Sequence, residues 1–264
     1  MKKNGIGAQL YHCAFLIFIM APLLIIVAVA FTSKGYISLP TDGLSLRWFI
    51  ALKDTPEIRT AFFLSLKLAA ISSTIAVGLA VPAAVALARH RFPGRDIVSG
   101  FLMSPMMIPN VVLGIAFLRF FNIIGLTGSF TLLCCAHIIF IMPYAMRLIL
   151  AATIGMDRDA ENAARSLGAS RLTTFRRIFL PLILSGLAGG WILSFIQSFD
   201  ELTMTIFVAT PGTSTLPVVM YNHIAQTIDP LITSVSTVLI AMTLIFMVVL
   251  DRIIGLDTVL IGKN

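Results

Sequence analysis

The sequence predicts an all-α, polytopic membrane protein with six transmembrane helices. Three observations lead there. Of 264 residues, 58% are hydrophobic and only 12% charged, a balance far from that of a soluble domain. The apolar residues gather into six runs of about 20, each long enough as a helix to cross roughly 30 Å of hydrocarbon. No run shows the alternation, over roughly ten residues, of a membrane barrel strand, and a lone segment in lipid satisfies its own backbone groups only as a helix.

The runs cover residues 10–31, 61–88, 97–121, 130–151, 181–208 and 231–250. The first follows Lys2 and Lys3 and contains Ala28-Val29-Ala30, a combination that imitates a cleavable signal peptide. Its apolar stretch of about 20 residues exceeds the 7 to 15 of a signal core, so it is read as a span. The connection from 32 to 60 holds "SLRWFIALKD", where Leu46, Phe49, Ile50 and Lys53 recur at helical spacing. A surface helix is expected there, with Trp48 suited to the membrane interface.

In the second run, Lys67 lies near the outer end and is expected to snorkel. Pro105 and Pro109 fall inside the third run and Pro143 inside the fourth, where each removes a backbone bond and frees a carbonyl. Freed carbonyls are tolerated where protein or a water-filled cavity satisfies them. Ser104 and Asn110 either line such a cavity or make helix-helix contacts. The fifth run carries Asp200 and Glu201, roughly 20 residues beyond Pro181 and so about 30 Å along a helix, near its outer mouth. Ionisable residues at such depth default to a functional reading. Two uses are open: attracting an organic cation, or pairing with Lys67 or Arg119.

An even number of crossings puts both chain ends on one side. With the N-terminus cytoplasmic, the inner segments hold Lys2, Lys3, Arg89, Arg91, Arg95, Arg158, Arg165, Arg171, Arg176, Arg177, Arg252 and Lys263, against Lys34, Arg47, Lys53 and Arg59 outside. That excess fixes the orientation and accounts for most of the +7 net charge, leaving no call for a nucleic-acid partner. Cys13, Cys134 and Cys135 all lie in apolar runs as small fillers, and the four histidines are scattered. No metal-ligand spacing, nucleophile elbow or phosphate loop appears, and the terminal "IGKN" lacks both the upstream glycine and the Ser/Thr of a P-loop. No catalytic residue is assigned.

One polar stretch interrupts the apolar pattern: "DAENAARSLGASRLTTFRRIFLPLI", residues 159–183. Asp157 suits the cap of a helix whose first turn holds Asp159 and Glu161 and whose end holds Arg165, in keeping with the helix dipole. Ala160, Ala163, Ala164 and Leu167 recur at helical spacing and form one narrow, small-residue face. Gly168 supplies a left-handed stop. Ser170 caps a second helix with Leu172, Phe175, Ile178 and Phe179 on an apolar face and Arg171, Arg176 and Arg177 on a basic one. Pro181 then opens the next span, where a missing N–H is harmless. Alanines insert poorly into lipid but let another protein surface approach closely, which favours a docking helix over one lying in headgroups.

The motif "ENAARSLGAS…FRRIFLP" resembles the EAA loop of ABC importer permeases. The loop pattern is roughly EAA, three residues, Gly, nine residues, then Ile-x-Leu-Pro; Ala163, Ala164, Gly168, Ile178, Leu180 and Pro181 fall at its spacing. The chain departs at one position, where the pattern's Glu is Asn162 and Glu161 stands one residue earlier. "MSPMMIPNVVLGIAFL", "GWILSFIQSFDELTMTIFV" and "TLPVVMYNHI" are similar to the spermidine/putrescine-type branch of that family, so the resemblance covers essentially the whole chain.

The resemblance implies a type I ABC importer permease-like fold over 1–264, a single transmembrane domain with a coupling loop at 157–180. It implies a non-catalytic translocation subunit in a bacterial inner membrane. Its partners would be two ATP-binding subunits holding the ATP and Mg, a second permease chain of different sequence, and a periplasmic solute-binding protein; the outer helix is either a plain surface-anchored connector or a contributor to docking of that protein. No cofactor is expected on the chain itself. Coupling would fall to Glu161, Asn162, Ala163, Ala164, Leu167, Gly168, Ala169, Ile178, Leu180 and Pro181. The solute path, with a polyamine or related small organic solute as cargo, would draw on Asp200, Glu201, Ser104, Asn110, Trp191 and Gln197, with Phe195 near it. The competing class is a self-sufficient ion-driven transporter or channel. It should show midplane carboxylates and often matching halves, and gives the docking loop little purpose.

Overall fold

The computed structural model describes residues 5–254, and among these the regular elements are all helical. Lys2, Lys3, Lys263 and the terminal "IGKN" lie outside them. In chain order the helices are α1 (Ile6–Ala30), α2 (Arg47–Lys53), α3 (Pro56–Arg89), α4 (Arg95–Met103), α5 (Asn110–Ile123), α6 (Phe130–Gly155), α7 (Asp159–Ser166), α8 (Arg171–Thr174), α9 (Leu180–Leu182), α10 (Leu184–Phe199), α11 (Thr205–Val208), α12 (Leu216–Gln226) and α13 (Leu231–Ile254). Helices α1, α3, α6 and α13 are each long and apolar enough to cross a membrane; counting two bent pairs as one span each brings the number to six.

Those bent pairs correct two of the expected spans. The third run is no continuous helix: α4 passes into a 3-10 turn, Ser104–Met107, and α5 starts afresh at Asn110, the two pieces meeting at 102°. Pro105 sits in the first turn of the 3-10 segment and Pro109 immediately before α5, positions where a missing N–H costs no hydrogen bond. Pro143, by contrast, is buried inside an unbroken α6.

The fifth run is also broken, at Ile183 rather than at Pro181, with a bend of 66°. Pro181 does not open the span, because the helix that begins at Ser170 runs through it to Leu182 by way of a π turn at Phe175–Phe179. A proline ring inside a helix collides with the carbonyl four residues earlier, here Arg177, and a π turn widens the helix at that point. The straight piece beyond the bend is α10, of 16 residues, about 24 Å at the helical rise. Asp200 caps its C-terminal end.

The chain divides into two compact units, residues 5–60 with 219–249, and 61–218 with 250–254. In the larger unit one core gathers Leu68, Leu113, Leu133, Phe140, Ile141 and Met204, and a second gathers Ala84, Ala145, Met146, Ile149, Phe179 and Ile183. Small residues bring α10 against α6: a Cβ at Gly186 would lie 2.4 Å from Ala152 Cβ and 3.0 Å from the Leu148 carbonyl oxygen. Likewise a Cβ at Gly114 would stand 2.9 Å from the carbonyl oxygen of Met204, so α5 and the start of α11 meet backbone to backbone. Close approach of this kind replaces the hydrophobic drive that helices lack in lipid.

In the smaller unit, α1 exposes Leu16, Ile17 and Phe18, and α13 exposes Ile245 and Phe246, a surface suited to acyl chains. The surface helix expected near Leu46 forms as α2, but Trp48 does not face the headgroups. Its ring is buried, its indole N–H donates to the Lys34 carbonyl at 3.2 Å, and the Ser234 hydroxyl donates to its own carbonyl at 3.3 Å. An indole with its one donor satisfied internally gains more from packing than from the interface. Leu46 and Ile50 remain exposed beside it.

Candidate functional site

The polar loop folds as its capping residues require. The Asp157 carboxylate accepts from the Asp159 amide at 3.0 Å, one residue ahead of the helix cap, and α7 ends in a Schellman turn. In that turn the Gly168 amide donates to Arg165 O and the Ala169 amide to Ala164 O, both at 3.0 Å, with Gly168 at φ +87°. That left-handed residue satisfies two carbonyls which the helix end would otherwise orphan. The Ser170 hydroxyl accepts from the Thr173 amide at 3.1 Å and starts the next helix.

The small-residue face is open. α7 buries none of its residues, Leu167 is 89% exposed, and Ala160, Asn162, Ala163 and Gly168 are exposed with it. Leu172, Arg171, Arg176 and Arg177 are exposed too, while Ala164, Ala169, Ile178 and Leu180 are half-buried and Pro181 is exposed.

Glu161 turns the other way. Its carboxylate takes both Nη groups of Arg89 at the end of α3, with Nη1 to Oε2 at 2.8 Å, and both side chains are largely buried. The same guanidinium lies over the Phe179 ring, 4.4 Å from its centroid, and Phe179 stacks on Phe175 at 5.3 Å. One arginine therefore joins α3, α7 and the helix leading into the membrane. Of the expected coupling residues, Glu161 is an internal tether and Asn162 lies on the open face.

Removing one partner of such a pair leaves the other charge partly buried, which for a fully buried pair costs about 3–5 kcal/mol. The pair retains some exposure, and Arg89 Nε is buried without a partner, so the lower end applies. Glu161→Ala is expected to cost up to about 3 kcal/mol, read as a lowered Tm of the purified chain, and Glu161→Gln to cost less. Replacing both partners, Arg89→Met with Glu161→Met, is expected to recover part of the loss.

At the other end of α10, four of the six expected path residues meet. Asn110, Gln197, Asp200 and Glu201 line a cavity of about 210 Å³ together with Phe140, Tyr144, Leu202 and Thr203. Two interruptions in the helices border it: Asn110 starts α5 after the 102° bend, and residues 200–204 separate α10 from α11. Ser104 and Trp191 are not among its walls. The Ser104 hydroxyl donates to the Phe101 carbonyl at 2.8 Å, and the Trp191 indole donates to Thr74 Oγ1 at 3.0 Å while its ring stacks on Phe195 at 5.3 Å.

The two carboxylates, paired in the sequence reading, have different surroundings. Glu201 is buried, and its Oε1 accepts from the Met204 amide at 2.8 Å and from Asn110 Nδ2 at 3.4 Å. Its Oε2 accepts from the Thr205 amide at 2.8 Å and the Thr205 hydroxyl at 2.7 Å. Four donors fill the carboxylate's lone-pair directions. Asp200 is exposed at the cavity, and neither residue forms an ion pair with Lys67 or Arg119. Lys67 instead lies over the Phe130 ring at 5.0 Å.

Behind Glu201 stands a residue that sequence reasoning passed over. His137 on α6 is fully buried, with Nε2 3.0 Å from Thr205 Oγ1 and Nδ1 2.8 Å from Ser198 Oγ. Its only signal in the sequence was a lone histidine in an apolar run. Tyr144 and Phe140, one turn apart on the same helix, were likewise invisible as walls of the cavity.

A multi-span helical membrane protein with an exposed small-residue helix and a cavity lined by two carboxylates has the parts of a transporter's membrane subunit. Residues 76–256 match the family described as "binding-protein-dependent transport system inner membrane component", and the chain belongs to that family. It is 32% identical over 247 residues to the spermidine/putrescine transport system permease protein PotC of Escherichia coli strain K12, covering 94% of this chain and 93% of that protein. To the putrescine transport system permease protein PotI of the same strain it is 32% identical over 230 residues, covering 84% and 82%. In fold it is similar to a chain of the crystal structure of a bacterial alginate ABC transporter in complex with alginate pentasaccharide-bound periplasmic protein, with a TM-score of 0.69, 17% identity and 95% of each chain covered. The chain is an ABC importer permease, as its EAA-like loop led us to expect.

Proposed function

We propose that this permease is a non-catalytic subunit for the import of a polyamine-class organic cation across a bacterial inner membrane, with its N-terminus cytoplasmic. The observation that carries the reading is the open face of α7, tethered through Glu161, Arg89 and Phe179 to the spans behind it. A separate ATP-binding subunit, present twice in the complex and holding ATP and Mg, would seat Ala160, Ala163, Ala164, Leu167 and Gly168. Its movement on closing would pass through the Arg89 junction rather than through the loop backbone alone. Coupling of this kind needs contacts that differ between the states, and a surface that is open in the isolated chain supplies them.

The solute class rests on Asp200, an unsatisfied carboxylate beside Gln197 and Tyr144, a set that accepts hydrogen bonds from an ammonium group. The names of PotC and PotI point the same way. A second permease chain and a periplasmic solute-binding protein complete the assembly. Tagged chain drawn from native membranes and reconstituted in liposomes is the test. Recovery of an ATP-binding subunit, with ATP-dependent accumulation of spermidine or putrescine, is the expected result. A chain that comes down alone and moves solute on an ion gradient without ATP would restore the secondary-transporter reading.

A further inference from the structure

His137 is the one fully buried ionisable side chain among the described residues that touches neither the coupling face nor the cavity wall. Its two ring nitrogens nonetheless reach both structures that make the cavity. The chain of donors can be followed atom by atom. Glu201 as a carboxylate only accepts, so the single Thr205 hydroxyl proton goes to Glu201 Oε2. Thr205 Oγ1 must then accept from His137, which puts the imidazole proton on Nε2. Nδ1 is left as the acceptor and takes the Ser198 hydroxyl proton. A neutral imidazole carries one donor and one acceptor, and the network uses each once.

The relay ends on two helix breaks. Glu201 caps the start of α11 through the Met204 and Thr205 amides and holds Asn110, the first residue of α5. Ser198, on the other side of the ring, belongs to the last turn of α10. One histidine thus links the end of α10, the start of α11 and, through Glu201, the start of α5. Asp200 lies between two of these fixed points, Ser198 and Glu201.

We propose that His137 is a positioning residue of the solute path: through Thr205 and Ser198 it locks the rotamer of Glu201 and the 200–204 break, and so aims Asp200 at the cavity. The proposal rests on the cation-import reading for its choice of solute but not for its geometry. A half-satisfied buried network is costlier than an apolar one, which gives His137 variants a defined signature. Leucine fills similar volume without either hydrogen bond; glutamine keeps one donor and one acceptor at the end of the side chain.

In the reconstituted complex, His137→Leu is expected to raise KM for cation uptake roughly tenfold, the equivalent of one lost hydrogen bond, with the ATPase subunit retained. His137→Gln is expected to stay within about threefold of the unmodified chain. Loss of uptake that is equal in both variants, or a normal KM in His137→Leu, overturns the proposal. Should His137→Leu fail to assemble, the pair Thr205→Val and Thr205→Ser reads the same link, because serine keeps the hydroxyl. Nitrogen-15 NMR of histidine-labelled chain supplies a solute-independent reading: the expected spectrum shows His137 protonated at Nε2 alone, and the Nδ1–H tautomer would refute the relay. If the unmodified complex imports another solute instead of a polyamine, the cargo reading fails, and the KM contrast measured with that solute still decides the role of His137.

Discussion

Gly168→Asp is expected to leave the chain inserted in the membrane while abolishing its retention of the ATP-binding subunit. The reasoning separates the backbone from the surface. Gly168 sits at φ +87°, where most side chains cost roughly 1–2 kcal/mol, but aspartate and asparagine are the best tolerated of them. No atom lies within 4 Å of a Cβ built there, so the new side chain meets nothing inside the protein. The Schellman hydrogen bonds run through backbone atoms that the substitution keeps. What changes is the open face proposed for docking, which gains a charge and a protruding carboxylate between Leu167 and the start of α8. Burying an unpaired carboxylate against a partner costs several kcal/mol, enough to reduce co-purification by a hundredfold or more. Normal recovery of the ATPase with the Gly168→Asp chain in mild detergent would remove this face from the coupling contact. The companion Gly168→Asn, isosteric and uncharged, should retain most of the partner, which distinguishes charge from backbone strain.

The second large effect is expected at Asp200, and it should differ in kind from that at Glu201. Asp200 is exposed at the cavity and forms no ion pair among the described residues, so Asp200→Asn removes a charge open to solute. A charge-assisted hydrogen bond contributes about 1.5–3 kcal/mol, so cation KM should rise roughly 10- to 100-fold with unchanged thermal stability. Glu201→Gln acts on folding instead. Every lone pair of Glu201 receives a donor, and an amide nitrogen placed there would face a donor with a donor. An unsatisfied buried group costs about 1–3 kcal/mol, seen as a lower Tm and yield that accompany any rise in KM, whereas Asp200→Asn raises KM alone. A rise in KM confined to Glu201→Gln, with Asp200→Asn normal, would exchange the two roles.

The sequence treated Asp200 and Glu201 as a pair because they are adjacent, and adjacency is all that a sequence shows. Their separation comes from the helix ending between them. Asp200 closes α10, while Glu201 turns back to cap α11, and the donors that hold it come from Thr205, four residues on, and Asn110, 91 residues away. Glu161 repeats the lesson at the other end of the molecule. The EAA-like pattern directs attention to position 162, yet the tether is formed by Glu161 because Arg89, 72 residues earlier, stands on the inner side of α7. Trp48 was placed at the membrane interface on the strength of residue type, and the carbonyl of Lys34 claims its indole instead.

By itself, the sequence determined the features that depend on neighbours within a few turns. These are the apolar lengths that demand helices in lipid, the turn at Gly168 and cap at Ser170 that shape the polar loop, and the prolines that mark where the third span can break. Each follows from local sterics, backbone hydrogen bonding or the thickness of hydrocarbon. Only the tertiary structure decided which polar groups face inward: the Arg89–Glu161 junction, the relay from His137 to Glu201, and the freedom of Asp200. A buried polar group must find a partner or pay its desolvation, and the partners that satisfy the first two, while leaving Asp200 exposed, are set by packing between helices distant in the chain.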